Sequence, residues 1–267
     1  MTSDLASALA FSHVDVEVAA GVATVALRNP PVNALSRELS DQLTDALDRI
    51  SELAEIRAVV LTGRGHVFCA GADLKNRDRY LANPGDFAAH SRRARECFHA
   101  VRECAKPVVA AVNGPALGAG LAIVASADII VAAEEASLGL PEVKVGLLGG
   151  CSHALRLFGH SRTRRMALTG YRVSGPELYR LGVAEECTPA GELLPTAMAI
   201  ACEIAAASPV AVQTMKRTLN TVEELSLRDG YRFEQDMTGI LRQSPDSQEA
   251  QRAFLERRAP RFGRDQD

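Results

Sequence analysis

The sequence predicts an α/β domain that gives way to a helical C-terminal part. Three observations carry that reading. β-branched, apolar runs at 57–62, 107–113 and 128–133 read as buried strands, and helical patterns lie between them. Two of those strands end in glycine-rich turns, one at Gly63 to Ala72 and one at Asn113 to Gly120. From Ala190 onward the strand signals stop and the pattern is helical almost throughout.

In chain order, short apolar strands at 14–18 and 22–27 flank Ala20-Gly21 as a hairpin. Pro30-Pro31 breaks the chain. Ser36 then opens a helix with Leu39, Leu43, Ala46, Leu47 and Ile50 on one stripe. A strand comes next at 57–62. Residues 76–105 are polar, with a turn at Asn83-Pro84-Gly85 and an amphipathic helix to about Cys104. Strand, helix and strand succeed it at 107–113, 118–126 and 128–133, and helices are expected over 191–206, 209–219, 222–242 and 247–258. No internal repeat or low-complexity segment is visible. The expected organisation is a loose tail over 1–12, a core over 13–205 and a helical region over 206–267, with the boundary near Ala205–Pro209.

Composition excludes several classes of function. At 267 residues and 47% hydrophobic, the chain can bury a sizeable core. A net charge of −3 gives no sign of a nucleic-acid partner. No apolar run approaches the length of a membrane span. The first residues, MTSDLASALAF, carry Asp4 and no Lys or Arg, unlike a secretory signal. The six cysteines, at 69, 97, 104, 151, 187 and 202, are scattered, without metal-binding or disulfide-framework spacing. They read as small apolar residues in a reducing cytoplasm, with Cys97 and Cys104 on one helix face. No metal is expected.

The glycine turns carry the chemistry. A strand that turns through glycines into a helix aims unpaired N–H groups at one point, with the positive end of the helix dipole behind them. Such a turn holds either a phosphate or a transient oxyanion. Gly114, Gly118 and Gly120 are spaced G-x3-G-x-G rather than the G-x-G-x-x-G a dinucleotide site needs. Two separate turns, the second at Phe68-Cys69-Ala70-Gly71-Ala72-Asp73-Leu74, suit an oxyanion hole built from distant segments. Taken alone, either loop also reads as an ordinary tight connection, and Asp73 as the cap of the segment after it.

Three blocks in register resemble the crotonase family, the enoyl-CoA hydratases, isomerases and their relatives. They are Phe68-Cys69-Ala70-Gly71-Ala72-Asp73-Leu74-Lys75, Asn113-Gly114-Pro115-Ala116-Leu117-Gly118-Ala119-Gly120 and Leu140-Pro141-Glu142-Val143-Lys144-Val145-Gly146. With the tail Phe254-Leu255-Glu256-Arg257-Arg258, the resemblance runs from about Val14 to Phe262. It implies a spiral of ββα units and then C-terminal helices that pack against neighbouring subunits, in trimers or in hexamers made of paired trimers. It also implies a substrate that is an acyl-CoA thioester, with CoA arriving as part of the substrate and no further cofactor. By the same resemblance, Ala72 and Ala119 supply the oxyanion N–H donors, and Gly118 lies with them. Ala70, Asp73 and Leu74 lie along the CoA adenine, and Lys75 meets a CoA phosphate. Phe254 and Arg257 close over the pantetheine or adenine end from an adjacent subunit. For Lys75 and Arg257 the other reading is a solvated surface cation.

The chain departs from the family at one decisive place. Two-carboxylate hydratases carry a first glutamate where this chain has Ala122, and a methyl group cannot activate water. The second family glutamate is retained as Glu142, the chain's acid/base candidate. A single glutamate suits shuttling a proton between carbons of an enoyl-CoA, or opening a carbon ring, better than hydration. The aspartate of the dienoyl-shifting relatives is absent, since that position is Gly150. His153, in Gly149-Gly150-Cys151-Ser152-His153, is a candidate replacement group that could make the protein a hydratase after all; the other reading is a packing or capping histidine. Cys151 lacks a placed base. The competing class is a CoA-ester-binding paralogue without turnover, and a more remote one is a nucleotide-dependent α/β enzyme.

Overall fold

A computed structural model describes residues 9–76 and 81–262 of the chain. Nine strands are formed among them: β1 (Val14–Ala19), β2 (Val22–Leu27), β3 (Ala58–Gly63), β4 (Val108–Val112), β5 (Pro115–Leu117), β6 (Ile129–Ala133), β7 (Ser137–Gly139), β8 (Arg172–Ser174) and β9 (Glu186–Thr188). Six of them make a sheet ordered β1-β2-β3-β4-β6-β9, antiparallel only at the β1–β2 hairpin and parallel elsewhere. The other three make a small sheet ordered β5-β7-β8. Every residue of β3 and β4 is buried, which explains why their sequences read as unbroken apolar runs rather than alternation.

Helix α1 (Arg37–Glu52) starts where Ser36 accepts the N–H of Leu39, and its stripe Leu39, Leu43, Ala46, Leu47 and Ile50 is buried. Each large side chain in that stripe contributes about 1.5–3 kcal/mol over an exposed position. Helix α2 (Asp86–Glu103) packs on α1, and the eight-residue α3 (Ala119–Ser126) packs on α2 and on α4 (Cys151–Leu157). Next come α5 (His160–Thr169), α6 (Gly175–Arg180) and α7 (Leu193–Ala205). Helix α7 turns Leu193, Ala197, Ala201 and Ala205 inward at a spacing of four and lies across β3, β4 and β6.

The chain visits the two sheets in turn. It runs from β4 in the large sheet to β5 in the small sheet and then to α3. It runs likewise from β6 to β7 and then to a 3₁₀ turn at Glu142–Val145. The segment after β3 does the same in reduced form, because Cys69 pairs with Ala116 as an isolated bridge before the chain reaches α2. Three successive turns of the spiral therefore pass side by side at Cys69, Ala116 and Leu138. Ala72 lies three residues beyond Cys69, Ala119 three beyond Ala116, and Glu142 four beyond Leu138. Equivalent positions on adjacent coils converge on one place.

Helices α8 (Pro209–Val222), α9 (Leu227–Leu241) and α10 (Pro245–Glu256) complete the chain. The buried Lys216 of α8 ties them to the core, its Nζ standing 2.8 Å from Asp128 Oδ2 and 3.1 Å from the carbonyl of Lys106. The expected helix over 222–242 is interrupted at 223–226, because Ser226 caps a fresh helix by accepting the N–H of Asp229. Of the expected loose tail, residues 1–8 lie outside the described residues, whereas Leu9 is buried and Phe11 packs against the core. Cys69, Cys97 and Cys104 are buried as expected. Cys151, Cys187 and Cys202 are only partly buried, with Cys151 and Cys202 packed against the core.

Candidate active site

The first loop is built by a segment that precedes it by about thirty residues in sequence. Asn33, at φ +50, is buried, and its Nδ2 donates to the carbonyls of Arg64 at 2.9 Å and Val67 at 2.8 Å. Ala70 N–H donates to the carbonyl of Val32, Leu35 N–H to that of Gly71, and Asp73 N–H to that of Leu35. Leu35 thus pairs with both neighbours of Ala72, which turns the N–H of Ala72 itself to the opposite side. That N–H is taken up by no hydrogen bond within the described residues. Gly71 has φ +106, a conformation natural only to glycine.

The second loop brings its donor alongside. Gly118 turns the chain at φ +54 and donates its N–H to the carbonyl of Gly139 at 2.9 Å. Ala119 is then the first residue of α3, so its N–H has no partner inside the helix. Contact between the loops is close. A side chain on Gly120 would run into the carbonyl of Cys69, and one on Gly71 would stand 3.0 Å from Leu117 O and 3.9 Å from Ala119 N. The two unpartnered N–H groups therefore lie on adjacent backbones. Ala72 is exposed and Ala119 partly so, which leaves both within reach of a ligand.

Glu142 opens the 3₁₀ turn beyond β7. Its Oε1 rests against the Cα of Gly118, and a Cβ on Gly149 would stand 3.8 Å from the same oxygen. Its Oε2 is shut off from solvent and has no hydrogen-bond partner among the described residues. Burial raises the carboxyl above its ordinary value of 4.5, offset in part by its own backbone N–H. No cation contributes. A half-buried carboxylate with an orphaned oxygen beside two free N–H donors is suited to take a proton from a ligand whose carbonyl oxygen the donors hold. Ala122 lies one turn into α3 and is 1% exposed.

The other residues singled out in the sequence divide between the rim of this site and places away from it. The Asp73 carboxylate accepts from the N–H groups of Lys75 and Asn76 and from Asn76 Nδ2 at 2.6 Å, so it shapes the loop beyond the first donor. Ala70 is partly buried, and Leu74 and Lys75 are exposed at the same rim. Phe254 and Arg257 are exposed at the end of α10, Arg257 as its left-handed cap. The His153 ring meets Phe98 edge-on at 5.2 Å. Burial, reinforced by Arg156, His99 and Arg102, holds its pKa below 6.5. Cys151 Sγ points to the carbonyl of Gly149 at 3.8 Å.

Sequence reasoning missed two asparagines that hold this site together. Besides Asn33, Asn113 accepts the N–H of Gly63 at 3.1 Å and donates to the carbonyl of Gly65 at 2.9 Å, joining the ends of β3 and β4. An asparagine directly after a proline-broken turn is the available signal for Asn33, since it tolerates positive φ and offers an amide to stray carbonyls.

The chain is similar to known proteins along nearly its whole length. The pattern of the enoyl-CoA hydratase/isomerase family matches residues 17–265. A putative enoyl-CoA hydratase of Thermus thermophilus is 36% identical over 252 residues, covering 92% of this chain and all of that one. The (7aS)-7a-methyl-1,5-dioxo-2,3,5,6,7,7a-hexahydro-1H-indene-carboxyl-CoA hydrolase of Mycobacterium tuberculosis is 35% identical over 244 residues, covering 89% of this chain and 96% of that one. Among solved structures, an enoyl-CoA hydratase from Bacillus anthracis superposes with a TM-score of 0.88 at 33% identity, over 94% of this chain and 99% of that one. The chain belongs to the enoyl-CoA hydratase/isomerase family and has the crotonase fold.

Proposed function

We propose that this family member converts an acyl-CoA thioester through an enolate held by the N–H groups of Ala72 and Ala119. Glu142 serves as its one acid/base group, and the reaction shifts a double bond or cleaves a carbon–carbon bond rather than adding water. The observation that carries this reading is the Glu142 carboxylate, orphaned at Oε2 beside the two donors, while a methyl group stands at position 122. With the thioester oxygen between the donors, the α-proton is acidified and passes to Glu142. The electron pair goes into the enolate, and return of the proton at the γ-carbon moves the double bond. In the hydrolytic version Glu142 takes a proton from a water that attacks a β-keto carbon. The bond between that carbon and the α-carbon breaks, its electron pair enters the same enolate, and the proton ends on the α-carbon. Two donors of this kind are commonly worth about 3–4 kcal/mol each. The M. tuberculosis relative lends support to a hydrolytic version, as its name makes it a hydrolase acting on a dioxo-indene-carboxyl-CoA.

On this reading Ala70, Asp73 and Leu74 lie along the adenine of CoA, Lys75 pairs with a phosphate, and no cofactor is needed beyond the CoA the substrate brings. Phe254 and Arg257 reach over a neighbouring subunit's site in a trimer or a pair of trimers, in the cytoplasm. Phe254 and Leu255 support this arrangement, being 83% and 80% exposed in the single chain.

The test is to assay the protein on crotonyl-CoA at saturating concentration, monitoring absorbance of the conjugated thioester, beside a two-glutamate homologue. A very low hydration rate is expected. A rate equal to the homologue's would refute the preference against hydration and point to another group, such as His153, replacing the absent glutamate. Failure to exchange the α-proton of any acyl-CoA in deuterium oxide would instead favour a binding protein without turnover.

A further inference from the structure

From the contact between them, we infer that Gly118 is the positioning residue for the Glu142 carboxylate: the bare Cα at 118 is the seat on which Oε1 rests. The inference rests on the assignment of Glu142 as the acid/base group and adds what holds that group in place.

Among the described residues, Glu142 has no partner that would fix its carboxylate by hydrogen bonding across the site. Oε2 is unpartnered, and no cation contributes to its titration. Shape must fix it instead. A Cβ built on residue 118 would collide with Oε1 and stand 3.1 Å from the carboxyl carbon and 3.7 Å from Oε2. Oε1 is thus the side-chain oxygen nearest to Gly118, and the Gly149 Cα bounds it on another side. Gly118 is also the residue that separates β5 from the second oxyanion donor, Ala119. One backbone position therefore sets both the donor and the base, which fixes the distance between held carbonyl oxygen and proton acceptor. The clash falls on the far end of a flexible side chain rather than on backbone, so a methyl group at 118 displaces the carboxylate, in addition to the strain that φ +54 puts on the loop.

Gly118 has φ +54, so Gly118→Ala also strains the backbone, and a double-mutant cycle separates the two effects. Glu142→Asp shortens the side chain by one methylene and withdraws the carboxylate from residue 118. The four proteins are wild type, Gly118→Ala, Glu142→Asp and the pair. Each is measured for kcat and KM on the best acyl-CoA substrate, for α-proton exchange in deuterium oxide, and for Tm. Gly118→Ala is expected to lower kcat by about 10²-fold, the usual penalty of a misplacement near 1 Å, with KM changed little. In the Glu142→Asp background the same substitution is expected to cost less than about 3-fold, a non-additivity of well over tenfold. Equal costs in both backgrounds would overturn the inference, because the substitution would then act through backbone strain or the Ala119 donor. If Gly118→Ala alone fails to fold, folding of the pair supports the seat and failure of the pair refutes it. Glu142→Gln distinguishes the underlying assignment: if it stays active, the acid/base reading fails; if it is inactive and the cycle is additive, only the seat fails.

Discussion

Glu142→Gln is the substitution that probes the site most directly. The carboxamide has the size and shape of the carboxylate, so it can rest on Gly118 as the native group does, but it cannot accept the α-proton. General acid/base work is commonly worth 10²–10⁴-fold, about 3–5 kcal/mol at roughly 1.4 kcal/mol per decade, and no second carboxylate at position 122 can take it over. The expected result is a loss of kcat in that range, loss of α-proton exchange in deuterium oxide, and retained CoA-ester binding by calorimetry. Stability should move the other way. Burial raises the Glu142 pKa in the folded state, so the folded protein holds this proton more tightly than the unfolded chain. Stability linked to that proton is fully present below the ordinary value of 4.5 and is lost as pH rises through the raised folded value. The Gln variant, which stays neutral, should therefore resist urea better than wild type at pH 8, with the difference shrinking toward pH 5. In wild type, kcat/KM should fall on acidification with a midpoint above 4.5, because the base must be ionised to act. Retention of more than about a tenth of wild-type kcat would remove Glu142 from its role, since the expected loss is at least ~10²-fold.

Ala119→Gly should leave kcat/KM close to wild type, because the donor is a backbone N–H, whereas Ala119→Val should lower it by crowding the thioester; unchanged kinetics in the Val variant would misplace the second donor. Asn33→Ala removes both hydrogen bonds to the carbonyls of Arg64 and Val67 and leaves a non-glycine, non-asparagine residue at φ +50. A loss of about 1–3 kcal/mol in urea unfolding is expected, together with reduced kcat; a stability change under ~0.5 kcal/mol would show that the loop does not depend on it. Ala122→Glu places a carboxyl at a position only 1% exposed, so Tm should fall by several degrees while hydration of crotonyl-CoA rises above wild type. A folded variant with no rise would mean that position 122 does not face the reacting carbons.

Element length and locality decided how much of this molecule was legible in the sequence. The helix at 37–52 and the strands at 58–63, 108–112 and 129–133 are long enough for periodicity or an apolar run to show, and they lie where the residues predict. The small sheet was not visible, because β5, β7 and β8 are three residues each and carry no period. The proposed donors Ala72 and Ala119 were reachable only as glycine-turn positions matched to a family. Why their N–H groups are free depends on the pairing of Leu35 around Ala72 and on the first turn of α3. Asn33 escaped notice because its partners, Arg64 and Val67, are more than thirty residues away. His153 illustrates the converse: its place in a block beside glycines is visible in the sequence, but its contact with Phe98 of α2 is a property of helix packing.

A site with one carboxylate titrates differently from a site with two. In a site with two nearby carboxylates, each raises the other's pKa by like-charge repulsion, and the pair titrates as a unit. With Ala122 in place, burial alone raises Glu142, and no neighbouring charge appears among the causes of its shift. Such a group titrates as a single site, so it takes a proton and returns the same proton to a second carbon without a partner to reset it. That property fits a shuttle between two carbons, or the protonation of an enolate after bond cleavage. It does not fit a reaction in which one group must deliver hydroxide while another delivers the proton. A pH profile of kcat/KM with one ionisation on its acid side is therefore the signature of the single-carboxylate mechanism. Two coupled ionisations on that side would require a second titrating group at the site, and the assignment of proton transfer to Glu142 alone would fall.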